Sequence, residues 1–117
     1  MLSERATELG RLIGQSAEYQ AVKRTNASLS EDKAAMVLLD TMEKLRHDAQ
    51  KMMEKGEQPS PEMEQELDRL LGEVQTNPSY QLVLVANENF DKVMAQVNQW
   101  ILDGIRKGAT SSIITLA

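Results

Sequence analysis

Histidine, cysteine and clustered carboxylates are the side chains through which a small protein most often does chemistry, and in this chain they are sparse. His47 is the sole histidine and cysteine is absent. A thiol nucleophile, a disulfide framework and a cysteine-held metal centre are therefore excluded. His47 falls one helical turn after Glu43, without a second histidine to complete a metal pair. Zinc and acid–base sites rely on several converging groups, so His47 is expected as an exposed or boundary helix residue. Glu62, Glu64, Glu66 and Asp68, with Glu73 further on, form the densest group of carboxylates. They lack the glycine turn and the ligand rhythm of a calcium loop. They read as a solvated helix face or, functionally, as a surface for a protein partner. No catalytic, cofactor-binding or metal-ligating residue is expected.

The remaining candidates are apolar. Met36, Met42, Met52, Met53, Met63 and Met94 fall on or beside apolar seams, which suits core packing or an adaptable protein-binding groove. Trp100 lies on the seam of a long helix and is either core or an interface anchor. Ile113, Ile114 and Leu116 stand in an apolar tail, 109–117, beyond the helix-ending Gly108. Burying each of the three would contribute about 1.5 to 3 kcal/mol. The tail packs either on its own bundle or on a second subunit or partner, and Trp100, Ile113, Ile114 and Leu116 are candidate oligomer contacts.

Helical periodicity positions all of these residues, and strand-like alternation is almost absent. The fold class expected is all-α, an antiparallel helical hairpin or bundle of four to five helices with coiled-coil-like seams. The ranges read from the pattern are 3–14, 16–28, 31–55, 61–76 and 79–107, within a single domain. Leu2, Ala6, Leu9 and Ile13 make the first stripe, which Gly10 and Gly14 weaken. Ser16 restarts the helix. Ser30 is placed as the next N-cap, and Ala35, Leu38, Met42, Leu45, Ala49 and Met52 then alternate at spacings of three and four up to Lys55-Gly56. Ser60 with Pro61 opens a helix whose apolar positions are Met63, Leu67, Leu70 and Val74. After Asn77-Pro78 the seam is Leu82, Ala86, Phe90, Val93, Val97, Trp100 and Gly104. Tyr19-Gln20-Ala21-Val22 through Asn26 to Leu29 also resembles Tyr80-Gln81-Leu82-Val83 through Asn87 to Phe90. This is either a structural pseudo-repeat or two helix starts with the same capping needs.

At 117 residues, with 41% hydrophobic and 26% charged residues, the chain has the size and composition of one folded domain. Its net charge of −5 is concentrated: Glu54 to Glu73 holds seven acids against Lys55 and Arg69, also −5, and the remainder balances at 11 acids and 11 bases. A free-standing nucleic-acid binder needs a basic cluster, which is missing. The longest apolar run, Ala34 to Leu39, is far shorter than the roughly 18 to 20 residues of a membrane span. Glu4, Arg5 and Glu8 sit where a secretory signal would need a positive patch and then an apolar stretch, so export by that route is not expected.

Leu9 through Ile13 leading to Ser16-Ala17-Glu18-Tyr19, then Leu29 with Asp32, Gly56 before an acidic helix, Asn77 to Tyr80, and the Phe90 to Ile101 helix carry a resemblance. In this order the chain resembles the YlbF/YmcA family of small bacterial helical regulatory proteins, including its YheA-like branch. The resemblance implies an all-helical, oligomerising cytoplasmic protein without catalytic activity or cofactor of its own. It implies a role beside better-understood members, which act in a complex regulating competence, sporulation and biofilm formation and influence messenger-RNA processing through the endoribonuclease RNase Y. Some members are associated with iron–sulfur clusters held by cysteines, and this chain supplies no such ligand. The expectation is a non-enzymatic adaptor, a homo-oligomer (dimer or higher) that contacts protein partners such as the RNase Y complex, with no direct nucleic acid and no membrane. The alternative is a chaperone-like or structural coiled-coil protein with no RNA-processing role.

Overall fold

The computed structural model describes residues 1–110, which form five α-helices and no strand. They are α1 (Leu2–Gly14), α2 (Ala17–Glu31), α3 (Lys33–Glu54), α4 (Pro61–Gln75) and α5 (Pro78–Ala109). Each of α2 to α5 begins at a side-chain cap. Ser16, Asp32, Ser60 and Asn77 accept the backbone N–H of Tyr19, Ala35, Met63 and Tyr80, which satisfies donors that the first turn leaves without partners. Pro61 and Pro78 occupy first-turn positions, where the missing N–H costs nothing.

The sequence bounds shift by a residue or two at several ends, α5 running through Gly108 to Ala109 and not stopping at 107, and the largest change is at the joint of α2 and α3. The second helix continues to Glu31 rather than 28, and α3 is capped by Asp32, not Ser30. Ser30 lies inside α2, where its hydroxyl donates to the Asn26 carbonyl at 3.0 Å. Asp32 wins the cap because its backbone is extended there, with ψ at 96°, and its carboxylate reaches the free donor of Ala35 at 3.0 Å. At the other end of α3, the N–H groups of Gly56 and Glu57 donate to the carbonyls of Met53 and Met52 at 3.0 and 2.9 Å. This is the Schellman arrangement, and it needs the left-handed φ of +81° that Gly56 supplies.

The helices pair as two long arms. α4 and α5 return beside α2 and α3, so that α5 packs antiparallel on α2 and α4 packs on α3. One cluster of buried side chains joins Leu29, Ala35 and Val83; a second joins Met42, Leu70 and Val74. Leu39 and Tyr80 touch both. Between Tyr19 and Phe90 the rings meet at 5.4 Å and 57°. The molecule is slender, 66 × 37 × 20 Å with a radius of gyration of 21.6 Å, where a compact chain of this length would have about 13 Å. A frame so open buries few side chains, among them Ala35 and Val74, both fully enclosed.

The two similar sequence blocks share local architecture. Each has a cap three residues before its tyrosine, and in each the following glutamine reaches back six residues to a carbonyl of the preceding helix. Gln20 donates to Gly14 at 2.9 Å, and Gln81 to Gln75 at 3.0 Å. Common capping needs at a helix–helix joint thus account for the likeness.

Candidate protein-interaction surface

The carboxylates of α4 do not make one continuous patch. Its buried stripe is Leu70 and Val74, with Met63 and Leu67 partly buried. Helical spacing sets Glu62, Glu66 and Glu73 along one flank of that stripe and Glu64 with Asp68 along the other. Arg69 ties two of them together: its guanidinium donates to Glu66 through two nitrogens and to Glu73 at 2.6 Å. The Arg69 hydrogen bond holds the Glu66 carboxyl below its usual range, and the same contacts raise the arginine. Among the described residues no ion pair engages Glu62, Glu64 or Asp68.

His47 is exposed on α3, and its neighbour Glu43 pairs with Arg46 at 3.7 Å. Among the described residues no three histidines, aspartates or glutamates gather as a metal set. A shallow hollow lined by Ser3, Glu4, Thr7 and Arg11 is formed by α1 alone and lies open to water. Nothing in these features assembles the converging groups that catalysis requires.

The larger surface is apolar. On α5 the buried stripe runs through Val83, Ala86 and Val97, with Phe90 and Val93 partly buried. It starts at Val83 and not at Leu82, which is 56% exposed. Of the two readings of Trp100, core or interface anchor, the single chain does not bury it: it is 62% exposed, and Ile101, Leu102 and Ile105 beside it are exposed as well. The reason is length. α5 has 32 residues and its partner α2 only 15, so the apolar stripe outruns its cover. Exposed large apolar groups that adjoin one another mark interaction sites more often than scattered ones do. The proposed tail contacts Ile113, Ile114 and Leu116 lie outside the described residues.

Among the described residues no helix is long and apolar enough to cross a membrane. Among the described residues, then, no group of histidines and carboxylates gathers as a metal set, and the last turns of α5 expose Trp100, Ile101, Leu102 and Ile105. The family described as control of competence regulator ComK, YlbF/YmcA, matches residues 2–106, and the chain belongs to it. The match takes in the family as a whole and does not separate its YheA-like branch. Two curated relatives are similar over 72 residues, 62% of this chain: a UPF0342 protein of Streptococcus gordonii at 31% identity and one of Streptococcus agalactiae serotype III at 33%. The matched stretch spans 64% and 65% of their lengths. No solved structure is matched significantly.

Proposed function

We propose that this chain is a non-enzymatic regulatory adaptor, a homo-oligomer that offers apolar helix faces to protein partners and acts on RNase Y-dependent messenger-RNA processing. The observation that carries this reading is the uncovered apolar end of α5 on a frame with no catalytic constellation. Membership of a family that controls a competence regulator supports the regulatory part. The absence of a basic cluster in the sequence makes any RNA contact indirect. The cytoplasm is the compartment in which such a partner would be met.

The test is affinity purification of the tagged protein at its natural level from its native cell, with and without nuclease. Recovery of RNase Y or its accessory proteins in both conditions is expected. Recovery of the chain alone overturns the partner assignment, and recovery that nuclease abolishes overturns the claim that RNA contact is indirect.

A further inference from the structure

Tyr19 facing Phe90 and Asp32 meeting Asn77 set an antiparallel register in which α5 descends as α2 ascends. Carried past the start of α2, this register sets Val97–Ala109 opposite the sequence positions of α1. In the single chain α1 does not take that place. It packs on α2 and makes no substantial contact with α5. The joint that diverts it is well fixed. The Ser16 hydroxyl donates to the Ile13 carbonyl at 2.6 Å and accepts the Tyr19 N–H at 3.2 Å, while Gln20 holds the Gly14 carbonyl at 2.9 Å.

Among the described residues two apolar stripes are thereby left largely exposed at one end of the molecule, although Leu9 and Ile13 of α1 are half-buried. α1 is strongly amphipathic yet buries no residue, and Leu2 is 84% exposed. On α5 the uncovered stripe is Trp100, Ile101 and Ile105. Their lengths are close: α1 has 13 residues, about 20 Å, and α5 runs on from buried Val97 to Ala109. We infer that in a twofold homodimer α1 of each copy lies on the part of α5 beyond Val97 in the other. This specifies the contact behind the homo-oligomer proposed above and rests on that reading.

Continuity and charge both favour a second copy as the occupant. The α5 stripe is an extension of the face that buries Val83, Ala86 and Val97 on the helix that packs on α2. Around the contact, Glu4 and Glu8 balance Arg5 and Arg11 on α1, and Asp103 offsets one of Arg106 and Lys107 on α5. Two copies can approach at this end without like-charge repulsion, whereas the −5 of Glu54 to Glu73 sets the opposite end against its own kind. Exchange about a twofold axis forms the contact twice and closes the assembly.

The natural absence of cysteine makes a clean cross-linking test possible. Ala6→Cys and Ile105→Cys are made separately at exposed positions, one bearing a tag, then mixed and treated with a short bis-maleimide. The expected product joins the two different variants, well above the yield from either alone. Adding Trp100→Glu to both chains should cut that yield about tenfold or more, because a charge would sit in an apolar contact. Products formed only within each single variant overturn the exchange while leaving the homo-oligomer. A link inside one chain of the A6C/I105C double variant at monomer mass overturns the exchange in favour of closure in cis. A monomeric mass for the unmodified chain at every concentration overturns both the exchange and the homo-oligomer.

Discussion

Asn77 and Asp32, 45 residues apart, cap two different helices and are hydrogen bonded to each other: Nδ2 of Asn77 donates to Oδ2 of Asp32 at 3.2 Å. The remaining side-chain oxygen of each also accepts, Asp32 Oδ1 from the Ala35 N–H and Asn77 Oδ1 from the Tyr80 N–H, both at 3.0 Å. The breaks in the two arms are thus locked side by side, and Tyr80, one turn inside α5, spans the two core clusters from this joint. Asn77→Ala removes a cap and the link between arms, and is expected to cost about 1 to 2 kcal/mol in chemical denaturation. An unchanged denaturation midpoint would show that the joint adds nothing.

The same pair gives a pH dependence. The Ala35 N–H, then the Asn77 amide and the Ser79 hydroxyl, hold the Asp32 carboxyl below its ordinary value of 3.8. A carboxyl lowered in the folded state stabilises fully above its unfolded value, and that contribution is lost as pH falls through the lowered one. Thermal melting of wild type and Asp32→Asn should therefore differ at neutral pH and converge in acid below the ordinary value. A gap that stayed constant or widened in acid would contradict the assigned hydrogen bonds.

Tyr19 and Phe90 tie the start of α2 to the middle of α5 through tilted rings 5.4 Å apart. A double-mutant cycle with Tyr19→Leu and Phe90→Leu is expected to show a coupling of about 0.5 to 1.5 kcal/mol. Additive effects would mean that the rings are not in contact in solution, and the register of the two arms would need revision.

Two glycines should respond in opposite directions to alanine. Gly56 holds a φ of +81° at the end of α3, so Gly56→Ala is expected to lower stability by about 1 kcal/mol or more. Gly10 lies inside α1 with nothing near a added Cβ, so Gly10→Ala should raise helicity, by about 0.5 to 1 kcal/mol for that helix. Circular dichroism on heating ranks the two.

Core and surface on α4 separate just as sharply. Leu70 is 3% exposed, and Leu70→Ala is expected to cost about 2 to 4 kcal/mol. Glu64, exposed on the flank, should change stability by less than about 0.5 kcal/mol as Glu64→Gln. The reverse order in thermal melting would place the buried stripe on the wrong face.

Local signals were legible in the sequence. Ser16, Ser60 with Pro61, and Asn77 with Pro78 announce helix starts through chemistry contained within a turn, and the seams of α3 and α4 follow from spacing alone. The choice between Ser30 and Asp32 was not legible, because both side chains can cap; the backbone turns extended at Asp32, and its second oxygen meets Asn77 from a distant arm. Leu82 and Val83 are equally apolar neighbours, so only packing decides which one faces α2. Trp100 stayed open between core and interface anchor for a different reason. A stripe has the same spacing whether its own chain or another covers it, and the mismatch between α2 and α5 appears only when the helices are paired. The acidic residues of α4 were found as a group, but their division between two flanks and the hold of Arg69 on Glu66 and Glu73 emerge from the folded helix.

Trp100 is the sole tryptophan, which makes the apolar end of α5 directly observable in the unmodified protein. The decisive measurement is its fluorescence emission over a dilution series, paired with sedimentation to give the mass at each concentration. If a second copy covers this end, emission is blue-shifted in the concentrated protein and moves toward that of a water-exposed indole as the mass halves on dilution. Emission of a water-exposed indole at every concentration, whatever the mass, would contradict the assignment of α5 as the surface through which this protein associates.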